Sequence, residues 1–360
     1  MFGLWYLLKL LFSYIQFVSE PSMPKLKDLI AISKHIGRNL DLVQGAGGNT
    51  SLKKDGVLWV KASGCRLQDA EKRDIFVPVD YSRIIKELTT IDDDSFLPKI
   101  MQNDGSTTLR PSIETSLHAL MPHQYVVHVH SVNAIANAVL ENGEKKLSQL
   151  LEGISWAWVP YVRPGVPLTR TVQKVMRSDL NVLVLANHGL VLGAESKEAV
   201  FELLNQLESR LNRPRREPAT FEKDRLVKLL KNTGYKLSQY SLVHSLAFDP
   251  VALSIAGKNP LYPDHIVFLG TGPMSIMSDV ELSKYLEEKG NRRDHEVIII
   301  KNLGVITHLS LSENAEEMLH CLANVLLRIQ SEEKLRYLTE IEQAEISGWD
   351  AEKFRQANQS

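Results

Sequence analysis

The stretch best equipped for chemistry is His128-Val129-His130, which closes an apolar run, Tyr125-Val126-Val127. In a β-strand, residues i and i+2 point to the same face, so the two imidazoles stand side by side. An isolated pair of this kind more often packs or meets solvent than binds a metal, although imidazole is the commonest metal ligand. Two other segments shift the balance. Glu114 lies at the start of a predicted helix over 112–120, and Leu183-Val184-Leu185-Ala186-Asn187-His188-Gly189 brings one more histidine to the end of an apolar strand. Three histidines and a carboxylate make a catalytic zinc-type set with a position left open for substrate.

The elements that must position these groups are readable in outline. An amphipathic helix over 25–42 runs into Gln44-Gly45-Ala46-Gly47-Gly48-Asn49-Thr50-Ser51. Its glycines let backbone approach a ligand closely, and successive N–H groups there can form an anion-binding nest. A hairpin follows, with the turn signal Asp55-Gly56, and returns at Lys61-Ala62-Ser63-Gly64. Helices are expected over 131–140, 169–177 and 196–211, and a strand over 155–161.

Gly47-Gly48-Asn49-Thr50-Ser51, Lys61-Ala62-Ser63-Gly64, Pro111-Ser112-Ile113-Glu114, His128-Val129-His130 and Asn187-His188-Gly189-Leu190 occur in the order found in the class II aldolase/adducin family. The chain resembles that family over roughly residues 25–213. The resemblance implies a three-layer αβα domain of the α/β class with a central, mainly antiparallel sheet. It implies that Zn2+ or another divalent transition metal is held by His128, His130 and His188. It also implies that Asn49, Ser63, Gly64 and Ser112 hold a substrate phosphate, with Lys61 as a counter-charge. Ile113 departs from the Ser-Ser-Glu of several sugar-phosphate aldolases and removes one hydroxyl from that pocket.

On this reading the ion grips the carbonyl and adjacent hydroxyl oxygens of a ketose or ketose phosphate as a Lewis acid. Glu114 moves the proton to and from carbon, and cleavage of the carbon–carbon bond leaves a metal-stabilised enediolate. A tyrosine protonates the leaving alkoxide in fuculose-phosphate aldolase; Tyr161 is the candidate here. The expected activity is that of a metal-dependent aldehyde-lyase on a small sugar or sugar phosphate. The same scaffold also serves dehydratases, epimerases and decarboxylases, and the adducin head uses it without the zinc histidines for assembly. The epimerase carries Asp at the position of Glu114, and the three histidines set this chain apart from the adducin head. Family aldolases are homotetramers with sites at subunit boundaries, so a homo-oligomer is expected.

Acidic and basic residues nearly cancel, 43 against 42, and no basic run stands out, so nucleic acid is not an expected partner. Cys65 and Cys321 form no Cys-x-x-Cys pair, in keeping with a reducing cytoplasm. Residues 1–22 form an apolar N-terminal extension whose core, 2–18, is interrupted by Lys9. It lacks the basic leading region and small-residue cleavage site of a signal peptide and is at the short limit for a membrane span. Either translation begins at Met23 or the extension is a peripheral anchor, the one expected membrane contact.

Residues 23–213 are expected to form the family-like domain, with Asn212-Arg213-Pro214-Arg215-Arg216-Glu217-Pro218 as a boundary of solvated charges. Beyond it, 182–191 line up with 297–306, and the helices that follow line up after a one-residue shift. Asp264 to Leu269 faintly echoes the second strand of the hairpin. The repeat keeps the glycine of the turn, places Leu303 where His188 stands, and has no His-x-His. Residues 214–360 are therefore expected to be a smaller related α/β unit, a degenerate copy without metal ligands that ends in charged helices. Such a copy could replace a neighbouring subunit and line the cleft of the first unit.

Overall fold

The computed structural model of the chain describes residues 26–90, 99, 109–218, 220–289 and 295–348. The apolar extension over 1–22 and the end of the charged tail lie outside the described residues. Helix α1 (Lys27–Gly37) ends before Leu42, because from Asn39 onward the chain turns, with Leu42 N–H donating to the Asn39 carbonyl. β1 (Asn49–Lys54) and β2 (Val57–Lys61) form the expected hairpin. Asp55 and Gly56 both take positive φ, 52° and 77°, as a two-residue type I′ turn requires.

There follow β3 (Phe76–Asp80), α2 (Tyr81–Glu87), α3 (Thr115–Leu120), β4 (Tyr125–Val129), α4 (Val132–Ala138) and α5 (Gly143–Leu150). Then come β5 (Trp156–Val159), α6 (Val166–Val175), β6 (Val182–Leu185), β7 (Gly189–Ala194) and α7 (Lys197–Leu211). The strands build a seven-stranded sheet in the order β3-β2-β1-β4-β7-β6-β5, antiparallel except between β5 and β6. β4 shows why helices cover both faces. Tyr125, Val127 and Val129 pack with Leu29 and Ile32 of α1 and Leu204 and Leu207 of α7, while Val126 packs with Leu117 of α3 and Val172 of α6. The result is the expected three-layer α/β arrangement, and the strand's period of two sends His128 to the α3 side.

A second α/β unit continues with α8 (Lys223–Leu229), β8 (Tyr235–Leu237), a 3-10 segment (Ser241–Ala247), α9 (Pro250–Ala256) and α10 (Pro263–Leu269). It ends with β9 (Ser275–Met277), α11 (Asp279–Lys289), β10 (Val297–Ile300), β11 (Gly304–His308), α12 (Glu313–Leu326) and α13 (Glu340–Ser347). Its sheet runs β8-β11-β10-β9, with β9 and β10 the parallel pair. Residues 264–269 are helix α10 and not a strand: Pro263, with φ already fixed, opens the helix and Asp264 follows in its first turn. Of the charged helices expected at the end, α13 falls within the described residues.

Local hydrogen bonds recur between the two sheets. Asn187 N–H donates to the Ala138 carbonyl, and Asn302 N–H to that of Ala247. Both asparagines take positive φ, 53° and 58°. His188 N–H returns to Leu185 and Leu303 N–H to Ile300; Ala186 N–H reaches Val159 and Lys301 N–H reaches Met277.

The two units share a core in which Val132 and Ile135 of α4, and Val139 just after it, pack with Met318, Leu322 and Val325 of α12. The basic residues between the units are not simply solvated. Arg213 pairs with Glu333, and Arg216 with Asp249 at 2.6 Å. Among the described residues no helix is long and apolar enough to cross a membrane.

His265 on α10 is buried, with neither ring nitrogen hydrogen-bonded, and burial lowers its pKa from 6.5 to about 4. Between these values the unfolded chain binds the proton more readily, so stability falls as pH drops through the window. The loss across it is roughly 3 kcal/mol. Thermal unfolding at about pH 7 and about pH 4.5 should therefore show a smaller acid-induced loss in His265→Leu than in wild type. Equal losses would rule out His265 as the source.

Candidate metal centre

The site forms at the end of the larger sheet where β1 begins, β4 ends and the β6–β7 turn crosses over. Asn49 stands opposite His128 across β1 and β4, and His128 stands opposite Val191 of β7. β4 stops at Val129, so His130 lies just beyond it, before Ser131 caps α4 by accepting from Ala134 N–H at 3.1 Å. His188 comes from the three-residue turn in which Asn187 takes positive φ. Gly189 then passes so close to β4 that a Cβ would fall 2.4 Å from the Val129 carbonyl oxygen. Glycine there is what lets the turn close over the end of β4. The ring centroids of His128, His130 and His188 lie 4.9, 4.9 and 5.2 Å apart.

Hydrogen bonding decides which ring nitrogens face inward. His128 Nδ1 lies 3.1 Å from the Leu190 carbonyl oxygen, which can only accept, so Nδ1 carries the proton. His130 Nδ1 lies 2.7 Å from Asp264 Oδ2, a close contact bent away from the ideal hydrogen-bond direction. The two Nε2 atoms then face each other at 3.2 Å. Burial lowers the pKa of His128 in spite of the opposing pull of Glu114. Two lone pairs at this separation repel unless a proton or a cation lies between them. Nitrogens ~2.05 Å from a tetrahedral zinc ion would be ~3.3 Å apart, close to the observed distance. One donor atom from each of the three histidines lies within 4.8 Å of the others. The residues present therefore fit a divalent cation.

Glu114 is buried beside them, its carboxylate oxygens 3.5 Å from His128 Nε2 and 3.8 Å from His188 Nε2. Asn49 Nδ2 donates to Glu114 Oε2 at 2.6 Å, and Ser112 Oγ accepts from Glu114 N–H at 3.2 Å. The first contact holds the carboxylate beside the histidines, and the second holds the backbone that carries it. Asn49, Ser63, Gly64, Ser112, Glu114, His130 and His188 line one cavity of about 30 Å³, and His128 stands behind His130. The structure thus places the three histidines, Glu114 and the residues expected to hold a phosphate close together, and leaves Tyr161 apart from them. Lys61 also lines the cavity; its ammonium donates to the carbonyls of Ala46 and Cys65 at 2.6 and 2.8 Å, tying the glycine loop to the Ser63-Gly64 turn. Gly48 and Gly64 take φ of 61° and 79°, a region where a side chain would be strained.

Tyr161 does not line the cavity. Its ring packs with Ile266, Leu338 and Ile346 under the Arg336 guanidinium, and burial raises its pKa. Sequence reasoning missed Pro263 and Asp264, which close the cavity from the second unit. Their signal was the Pro-Asp helix start, and nothing in it announces a partner just beyond β4.

The model of the Class II Aldolase and Adducin N-terminal domain matches residues 27–212. A Bacillus subtilis protein named uncharacterized oxidoreductase YuxG is 30% identical over 194 residues, which cover 50% of this chain and 28% of that protein. An L-fuculose phosphate aldolase of Methanococcus vannielii is 30% identical over 183 residues, covering 48% of this chain and 87% of the aldolase. Among solved structures, the N-terminal class II aldolase domain of a conserved Thermoplasma acidophilum protein is similar at 25% identity and a TM-score of 0.47. That likeness covers 52% of this chain and 92% of the domain.

Equilibrium dialysis against Zn2+ should show about one bound ion per chain in the wild-type protein. His128→Gln, His130→Gln and His188→Gln should each bring binding close to background. Undiminished binding in any of the three would remove that histidine from the donor set.

Proposed function

This chain belongs to the class II aldolase and adducin N-terminal domain family through residues 27–212, and from that premise we propose that it is a metal-dependent lyase. It would break or form a carbon–carbon bond in a small sugar or sugar phosphate. The observation that carries the reading is the convergence of Glu114 with three imidazole nitrogens beside one cavity. A divalent cation held by His128, His130 and His188, with zinc the first choice, would supply Lewis-acid chemistry to the carbonyl and neighbouring hydroxyl oxygens of a ketose.

The side chains divide the remaining work. Glu114 is the base that takes the proton from carbon and returns it. Asn49, with its amide on Glu114, orients that base; Ser63, Gly64 and Ser112 supply hydroxyl and N–H donors to the phosphate. Gly48 and Gly64, in conformations suited to glycine, let the substrate come close to backbone. The Methanococcus relative's name supports a sugar phosphate as substrate. Since this chain spans 28% of the Bacillus relative, the oxidoreductase in that name is not carried over.

The second unit fits the reading as a degenerate copy of the first that lacks metal ligands. Recurrent bonds at Asn187 and Asn302 support it, as do Leu303 in place of His188 and Leu237, which faces Ile306 as His128 faces Val191. A cytoplasmic homo-oligomer completes the proposal, and the buried free thiols of Cys65 and Cys321 suit a reducing compartment.

The test is retro-aldol cleavage of L-fuculose 1-phosphate and other ketose phosphates by metal-loaded protein. Glu114→Gln should lower kcat at least ~100-fold with metal content unchanged, and a chelator should abolish turnover. Wild-type rates in Glu114→Gln, or an epimerised product without cleavage, would overturn the assignment.

A further inference from the structure

We propose that Asp264, a residue of the second unit, is the positioning residue that fixes His130 as a metal ligand, so that the second unit completes the metal centre of the first. The inference rests on the metal reading above.

His130 Nδ1 and Asp264 Oδ2 approach to 2.7 Å, and both residues are almost wholly buried, at 4% and 5% exposure. A carboxylate behind a ligating imidazole draws the ring proton to Nδ1, leaves Nε2 free to bind, and raises its basicity. His128 has a backbone carbonyl in the same place, so the two rings are aimed by acceptors of unequal strength. The same end of the His130 ring also abuts Gly47, where a Cβ would fall 2.9 Å from Nδ1. The ring is therefore confined by a missing side chain on one unit and a carboxylate on the other.

Asp264 is itself held firmly. It follows Pro263 at the start of α10, which packs on α12 and α13, and the preceding Tyr262 is buried in the core common to both units. The same short segment reaches a second part of the site: Leu261 accepts from Asn187 Nδ2 at 2.8 Å, in the turn that presents His188. Residues 261–264 thus grip both the ring of His130 and the turn of His188. On the far side, Glu317 of α12 accepts from Gly45 N–H at 2.6 Å and pairs with Arg66, holding the glycine loop. Of these contacts the one between Asp264 and His130 lies at the cavity wall, and the others hold the loops that carry that wall.

Because the units share a core, the test uses point variants of the full chain. Asp264→Asn, close in shape, and Asp264→Ala are compared with wild type by competition with a chromogenic chelator for Zn2+, by the visible absorption of the Co2+ form, and by metal-free Tm. Asp264→Asn should weaken Zn2+ binding roughly 10–100-fold and change the Co2+ spectrum, with the metal-free Tm near that of wild type. A change confined to the metal-free Tm, with affinity and Co2+ spectrum unaltered, would mean a structural role only and would overturn the proposal. Failure of the wild-type protein to bind metal would sink the proposed function as well, so the two failures are told apart by the wild-type control.

Discussion

Two imidazole nitrogens 3.2 Å apart, one on a ring whose proton the Leu190 carbonyl holds on the far side, set the terms for the rest of this structure. The pairing is tolerable only if something positive lies between, and it persists only if neither ring can turn. Three pieces of backbone meet those needs. β4 is paired on both sides, which fixes the backbone that carries His128 between β1 and β7. The carbonyl that orients it belongs to Leu190, two residues after His188, so the turn that brings one candidate ligand also aims another. Gly189 permits this by letting the turn cross β4 at backbone contact distance.

The second sheet separates what this turn needs from what the chemistry needs. Asn302 has the conformation and the backbone bond of Asn187 although no ligand histidine follows it. The asparagine is therefore a requirement of the three-residue turn, since Asn tolerates positive φ better than most residues. His188 is the chemical element, and Leu303 in the corresponding place belongs instead to an apolar cluster with Leu226, Leu230 and Leu282. One backbone solution can present a ligand or complete a core, and a single side chain decides which.

What could be read from the sequence follows the range of the interactions. His128 and His130 were legible because strand periodicity is local, and the hairpin because Asp55-Gly56 encodes its own geometry. Ser196 and Ser312 announce their helices by accepting from the N–H groups of Ala199 and Ala315. Asp264 was not legible. Its partner is more than a hundred residues away, just beyond the end of a strand in another sheet, and its own neighbours suggested a strand until Pro263 is seen to open a helix. Tyr161 failed for the same reason: an aromatic at the end of a strand suits a cavity or a core equally, and the choice was made by α10 and α13, which pack over it. Arg213 and Arg216, in a charged linker that reads as solvated, are held by Glu333 and Asp249 of the second unit.

Charge gives a further constraint on what the cavity can accept. Its wall carries two carboxylates, Glu114 and Asp264, against one ammonium, Lys61. Without a cation, buried negative charge would be in excess, a costly arrangement where water is largely excluded. A divalent ion among the histidines would reverse the balance and leave the wall with net positive charge. Such a wall favours an anionic ligand over a neutral one, and it favours most a reaction in which negative charge develops next to the ion. Lys61 does not need to touch the ligand for this to hold, because its ammonium, fixed between two carbonyls, still contributes to the field. The same arithmetic explains why a carboxylate can stand behind His130 at little electrostatic penalty: with the ion in place, Asp264 becomes part of a neutralised cluster and not an isolated buried charge.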